Sequence, residues 1–351
     1  MYEYGNARVR AMRARLIGRH VLEACVANYD ADQMVSTLAQ HDYGPDIALA
    51  MTRYSGAECV EEAARTNLTR TANAIRSFYS GSAGLLVNIL LGRYDRHNIT
   101  AALRGVATRA SPEETARAWL PAGQIGEPLL RELASQPDLK RAVDLMASWR
   151  LPFAGDVSEA LWRSGSESAG PLERALARAH YAAAFTGLPQ RDHDAALIRE
   201  LLAREVDVLN LSAVLRLNAQ PHRQLGAEVA GEFMPGGARL APSMLTTLCD
   251  LDDVGLAVAR VATTPYGPPL DAALPLYRQT GRVSTLVRAL DRHLTRWSLS
   301  QGRGDPLGIG IVIGYLAAKI TEAVNLRLIA RSIWLGVGRD AIFEQVWLPE
   351  A

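Results

Sequence analysis

DVLNLSAVLR, residues 207–216, decides the fold because the chain says it three times. The phrase returns as DRHNITAALR at 95–104 and as EAVNLRLIAR at 322–331. Each copy sets an acid three places before an asparagine: Asp95 and Asn98, Asp207 and Asn210, Glu322 and Asn325. An aliphatic follows at once (Ile99, Leu211, Leu326), and an arginine stands six places after the asparagine (Arg104, Arg216, Arg331). The asparagines are 112 and 115 residues apart. A weaker copy opens the chain, with Glu3 before Asn6 and Arg13 at seven places rather than six. Repeats of this length predict three related helical bundles, over 1–120, 121–235 and 236–351, with the first helix able to pack on the third unit.

The phrase has a physical reading on a helix. Asparagine and the acid three places before it are neighbours, about 60° apart. The apolar positions around them put the amide on a mostly apolar surface, where an unpaired amide costs about 1–3 kcal/mol. The asparagine therefore predicts a bonded partner. The arginine lies nine residues from the acid, about 180° around the helix, so the two do not pair with each other. The expectation is that each arginine ties its unit to the next, giving a structural network of Asp95, Asn98, Arg104, Asp207, Asn210, Arg216, Glu322, Asn325, Arg327 and Arg331. The competing reading makes Asp95 a helix N-cap and the arginines solvated charges. It fits Asp207 and Glu322 poorly, because helical patterning runs through them. LPAG (120–123) and MPGG (234–237) sit at nearly matching offsets after the first two phrases.

Working outward, helical period dominates. Val9, Met12, Leu16 and Ile17 share a face, as do Leu172, Leu176 and Ala179, and Leu286, Leu290, Leu294 and Trp297. Strand alternation is scarce and loops are short, so the fold class is all-α. The 351 residues suffice for two or three compact units. A net charge of +1 supplies no field for nucleic acid or anionic lipid. Three cysteines, far apart in sequence, argue for a reducing compartment and against a disulfide framework. MYEYGNARVRAMRARLIGRH lacks the apolar core of a signal peptide, and LLVNILL (85–91) and GIGIVIGYLAA (308–318) are far short of a bilayer span. A soluble, cytoplasmic protein is expected.

No enzyme chemistry stands out, and no metal or cofactor is expected. GxxxxGK[ST] is absent, and GIGIVIG (308–314) has the wrong spacing for a dinucleotide fingerprint; a tight helix crossing accounts for its glycines better. His193, between Asp192 and Asp194, reads as a helix-start charge cluster. Asp250, Asp252 and Asp253 raise the rival of a Mg²⁺-dependent prenyl-diphosphate enzyme, but no second carboxylate falls at the step that chemistry needs. A generic helical-repeat scaffold predicts units of about 34–47 residues.

The C-terminal stretch PLGIGIVIGYLAAKITEAVNLRLIARSIWLGVGRDAIFEQVW (306–347) resembles the end of the C subunit of V/A-type rotary ATPases, the d subunit of the eukaryotic vacuolar enzyme. Gly314, Tyr315, Leu316, Lys319, Glu322, Asn325, Leu326, Arg327 and Gly336 carry the likeness. YGNARVRAMRARLI (4–17) resembles the family's first helix, and LNLSAVLR followed by FMPGG its middle. Ile320 departs from the pattern, where a further acid is common. The resemblance implies a non-catalytic central-stalk adaptor: three pseudo-symmetric helical bundles arranged as a funnel, one copy per complex. It implies shaft subunits D and F as partners at the mouth and the membrane proteolipid ring at the base, and so a cytoplasmic protein peripheral to the membrane through protein contacts. Candidate partner-contact residues are Arg8, Arg10 and Arg13 of the basic first helix, which otherwise form a solvated face. Pro235, Gly236, Gly237 and Arg239 form a candidate rim loop, or else a turn whose glycines supply positive φ.

Overall fold

Three aspartates start the same kind of segment. Asp30, Asp138 and Asp253 each accept a backbone N–H at 2.8 Å from the first turn of a short helix, satisfying a donor that the helix leaves open. A computed structural model describes residues 2–151, 153–165, 168–220, 233–251 and 253–347, and among them every regular element is an α-helix. The all-α expectation holds.

The aspartate-capped helices are α3 (Ala31–Ala39), α9 (Leu139–Ser148) and α14 (Val254–Arg260). Each follows another short helix: α2 (Arg19–Asn28), α8 (Glu127–Ala134) or α13 (Pro242–Cys249). Each leads to a helix begun by an aromatic: Tyr43 before α4 (Gly44–Ala50), Phe153 before α10 (Ala154–Ser164), Tyr266 before α15 (Gly267–Thr280). Two longer helices then follow: α5 (Gly56–Phe78) and α6 (Gly81–Thr108), α11 (Ala169–Gly187) and α12 (His193–Asn218), α16 (Ser284–Gln301) and α17 (Gly310–Trp334). The remaining helices are α1 (Glu3–Arg13), α7 (Pro112–Ala116) and α18 (Arg339–Gln345); α1 stops at Arg13, so Leu16 and Ile17 lie beyond it and not on its apolar face.

The chain forms two compact units, residues 1–102 with 112–132 and 299–351, and residues 103–111 with 133–298. In the first, α17 lies against α5 and α1. It is apolar all round from Ile311 to Leu316, as a helix covered on several faces must be. Gly314 shows why GIGIVIG is glycine-rich: a Cβ there would come within 2.6 Å of Gly302 Cα. The second unit has a core of Leu211, Leu215, Leu248, Tyr266, Leu270, Leu286 and Leu290, from α12, α13, α15 and α16. No helix among the described residues is long and apolar enough to cross a membrane.

Candidate functional site

The phrase falls in the interior of α6, α12 and α17, so no copy caps a helix. All three acids and all three asparagines are buried. Each asparagine clamps one residue of the backbone through both its donor and its acceptor. Asn98 donates from Nδ2 to the Leu120 carbonyl at 2.8 Å and accepts the Leu120 N–H at 2.7 Å. Asn210 treats Met234 the same way, at 2.8 Å for both bonds. Asn325 donates to the Trp347 carbonyl at 2.8 Å and accepts its N–H at 3.2 Å. The partners are 22, 24 and 22 residues downstream. A carboxamide has one donor and one acceptor side, so it satisfies a bare peptide unit as a neighbouring strand would.

The acids secure the chain a little further on. Asp95 accepts the N–H of Gln124 at 2.9 Å and of Ile125 at 2.8 Å. Asp207 accepts the N–H of Ala238 at 3.1 Å, the N–H of Arg239 at 2.7 Å and the Tyr266 hydroxyl at 2.9 Å. Burial raises both carboxyls above the usual aspartate range, and these bonds pull against it; the Arg76 guanidinium also opposes it at Asp95. Glu322 accepts the Ile17 N–H, the Tyr43 hydroxyl at 2.7 Å and the buried Lys319 ammonium at 2.6 Å. Lys319 also stands over the Tyr43 ring, 4.3 Å from its centre.

LPAG and MPGG are therefore the clamped loops, and their last glycines have a reason. A Cβ on Gly123 would lie 2.1 Å from Asp95 Oδ1, and one on Gly237 would lie 2.2 Å from Asp207 Oδ1. Gly236 takes a φ of +98°, which suits glycine for a different cause. Sequence reasoning missed both the contact at the last glycine and the tyrosines. The available signal was Tyr-Gly-Pro, written twice, at 43–45 and 266–268. Phe153 stands at the corresponding helix start without a hydroxyl.

The arginines face the other way and meet carboxylates on other long helices. Arg104 makes a two-pronged bond to Glu173 of α11, 2.6 Å on each arm. Arg331 approaches Glu61 of α5 at 3.8 Å. Arg216 acts on Asp291 of α16, opposing the rise that burial gives that carboxyl. Asn6 is not a fourth clamp: Nδ2 donates to the carbonyls of Pro306 and Gly308, and Oδ1 accepts the Tyr79 hydroxyl. It sits in the first turn of α1 and fastens the turn before α17.

A model of the ATP synthase (C/AC39) subunit family matches residues 5–345. The chain belongs to the ATP synthase C/AC39 subunit family. It is 28% identical to the C subunit of the A-type ATP synthase of Haloferax volcanii, over 97% of this chain and 95% of that protein. It is also 28% identical to the C subunit of the A-type ATP synthase of Methanothermobacter thermautotrophicus, over 94% and 83% respectively. The C/AC39 family is that of a structural subunit of an ATPase complex. Asp253, of the acidic run weighed as a metal site, caps α14; Asp252 lies outside the described residues.

Of the partner-contact candidates, Arg8 and Arg10 are exposed on α1, with the Arg8 guanidinium over the rings of Tyr4 and Phe78. Arg13 is half-buried near Gly302. Pro235, Gly236, Gly237 and Arg239 lie at the surface, and Arg239 reaches Glu200 at 3.7 Å. Arg327, counted with the repeat network rather than with these, is exposed on α17.

Proposed function

We propose that this chain is the non-catalytic central-stalk adaptor of an A-type rotary ATP synthase, a socket that couples the shaft subunits D and F to the membrane proteolipid ring and passes torque between them. On this reading one copy serves each complex, on the cytoplasmic face, held to the membrane through protein contacts alone. The observation that carries it is the family match over residues 5–345, joined to relatives named as the C subunit of A-type ATP synthases over nearly their full length.

The physical character of the chain agrees. A coupling must resist deformation, and close-packed helices have low compressibility. The units 1–120, 121–235 and 236–351 are proposed as three versions of one part, each ending on a clamped segment: Leu120, Met234 or Trp347. The surface loop Pro235–Arg239 is held from beneath by Asp207 and Asn210. A surface loop fixed in that way loses little freedom on binding, which suits a contact with the shaft. The exposed arginines Arg8 and Arg10, with Arg13, suit acidic groups on a partner, setting encounter and register more than affinity.

The test is co-purification from native membranes with a tagged chain. Subunits D and F and the proteolipid ring are expected in the eluate; a tagged, folded chain that brings down neither overturns the reading. Replacing Arg8 and Arg10 by Glu, or the exposed Arg239 by Glu, then assigns each surface by which partner is lost.

A further inference from the structure

Two of the three clamped loops are continuous. Asn98 holds Leu120, and Asp95 holds the amides four and five residues later. Asn210 holds Met234, and Asp207 again holds the amides four and five residues later. At α17 the two halves come from segments 330 residues apart: Asn325 holds Trp347, while Glu322 holds the amide of Ile17. The helix after each loop also starts at a matching distance. α8 begins two residues after Ile125, α13 three after Arg239, and α2 two after Ile17. Ile125 and Ile17 are buried alike, at 7% and 8% exposure, whereas Arg239 is exposed and its neighbour Leu240 is the buried residue, at 5%.

We infer that the third loop is this same loop in cut form, and that α17 acts as a noncovalent clasp joining Trp347 to Ile17 where the other two sites have a peptide chain. The chemistry of the clasp fits a cut. Asp95 and Asp207 each receive two loop amides, whereas Glu322 receives one. The Lys319 ammonium, 2% exposed, supplies the donor that the cut removes. The acid here is also glutamate, one methylene longer, and reaches Lys319, Tyr43 and Ile17 together. With no covalent link to hold one half in place while the other opens, the clasp is the point at which this chain opens first.

Amide hydrogen exchange on the full chain tests this, and it does so whether or not the partners proposed above are found. The Ile17 and Trp347 amides are expected to exchange at least about tenfold faster than those of Leu120, Ile125, Met234 and Arg239. Simple fraying of terminal segments predicts the same, so a rearranged chain decides. Residue 351 is joined to residue 1 by a flexible linker of about 20 residues, and the chain is opened between Ala122 and Gly123. Fast exchange should then move to Leu120 and Ile125, and Ile17 and Trp347 should slow about tenfold. Equal protection at all six amides in the natural chain, or fast exchange remaining at Ile17 and Trp347 after rearrangement, overturns the inference. If the rearranged chain does not fold, the same junction made in an unopened, head-to-tail joined protein must slow Ile17 and Trp347, and no slowing overturns it equally.

Discussion

Asp207 and Glu322 occupy the same place in the repeated phrase and solve the same problem by opposite means. Asp207 is fully buried and is bonded by neutral donors, two backbone amides and the Tyr266 hydroxyl. Burial keeps its carboxyl raised despite them. Glu322 is nearly as buried but has a cation at 2.6 Å. A loop that arrives in one piece can offer several amides to one carboxylate. A site built from separated segments offers fewer, and a buried ammonium makes up the difference. The charge that completes the second kind of site also makes it fragile, because neither ion tolerates loss of the other.

The largest expected effect breaks that contrast at its charged end. Lys319→Met should cost about 3–5 kcal/mol in urea unfolding, since it leaves a buried carboxylate without its cation. Adding Glu322→Gln should recover the greater part, because Gln keeps an acceptor for Ile17 and Tyr43 and carries no charge. A loss unchanged in the double variant would mean that packing, not charge, is at stake.

Next come the clamps that the sites share. Asn98→Ala and Asn210→Ala each strip two bonds from a backbone unit and should cost about 1–3 kcal/mol by denaturant titration. Near-equal losses would support one role at both; a null effect at either would remove it from the network. Gly237→Ala and Gly123→Ala should follow near the lower end of about 1–3 kcal/mol, through overpacking against the acid. A double-mutant cycle sharpens this: Asp207→Ala with Gly237→Ala should cost less than the sum of the single changes.

The pH response should be smaller and should separate the two kinds of site. Asp95 and Asp207 have folded-state pKa values raised above the ordinary 3.8. The folded state therefore binds their protons more tightly than the unfolded state does. Their contribution is full below the unfolded value and is lost as pH rises through the folded values. Unfolding free energy measured upward from pH 4 should fall more steeply in the natural chain than in Asp207→Asn. An unchanged slope would show that Asp207 does not titrate in that window. The smallest effect is expected at the exposed pairs: Arg104→Ala should cost at most about 1 kcal/mol, and Arg331→Ala, with its ion pair at 3.8 Å, less.

How much of this was legible in the chain can be judged residue by residue. Asn98, Asn210 and Asn325 announced themselves because a helix places them beside the acid on an apolar face, and a buried amide must bond. The helical class followed from the same period. LPAG and MPGG were visible as echoes, but the cause of their last glycine was not, since it depends on a carboxylate 28 or 30 residues upstream. The hydroxyls of Tyr43 and Tyr266 were hidden for the same reason. Tyr266 is 59 residues from Asp207 and Tyr43 is 279 from Glu322.

The sequence by itself determined what depends on spacing within a few turns: that the chain is helical, that the acid and asparagine share a face, and that the arginine nine residues on points away. Only the tertiary structure decided what those groups hold. Which peptide returns to meet an amide depends on where helices tens or hundreds of residues away are packed, and no local period carries that. Ile17 and Trp347 are both held by α17, through Glu322 and Asn325, because the packing brings them there, and nothing in either segment names the other.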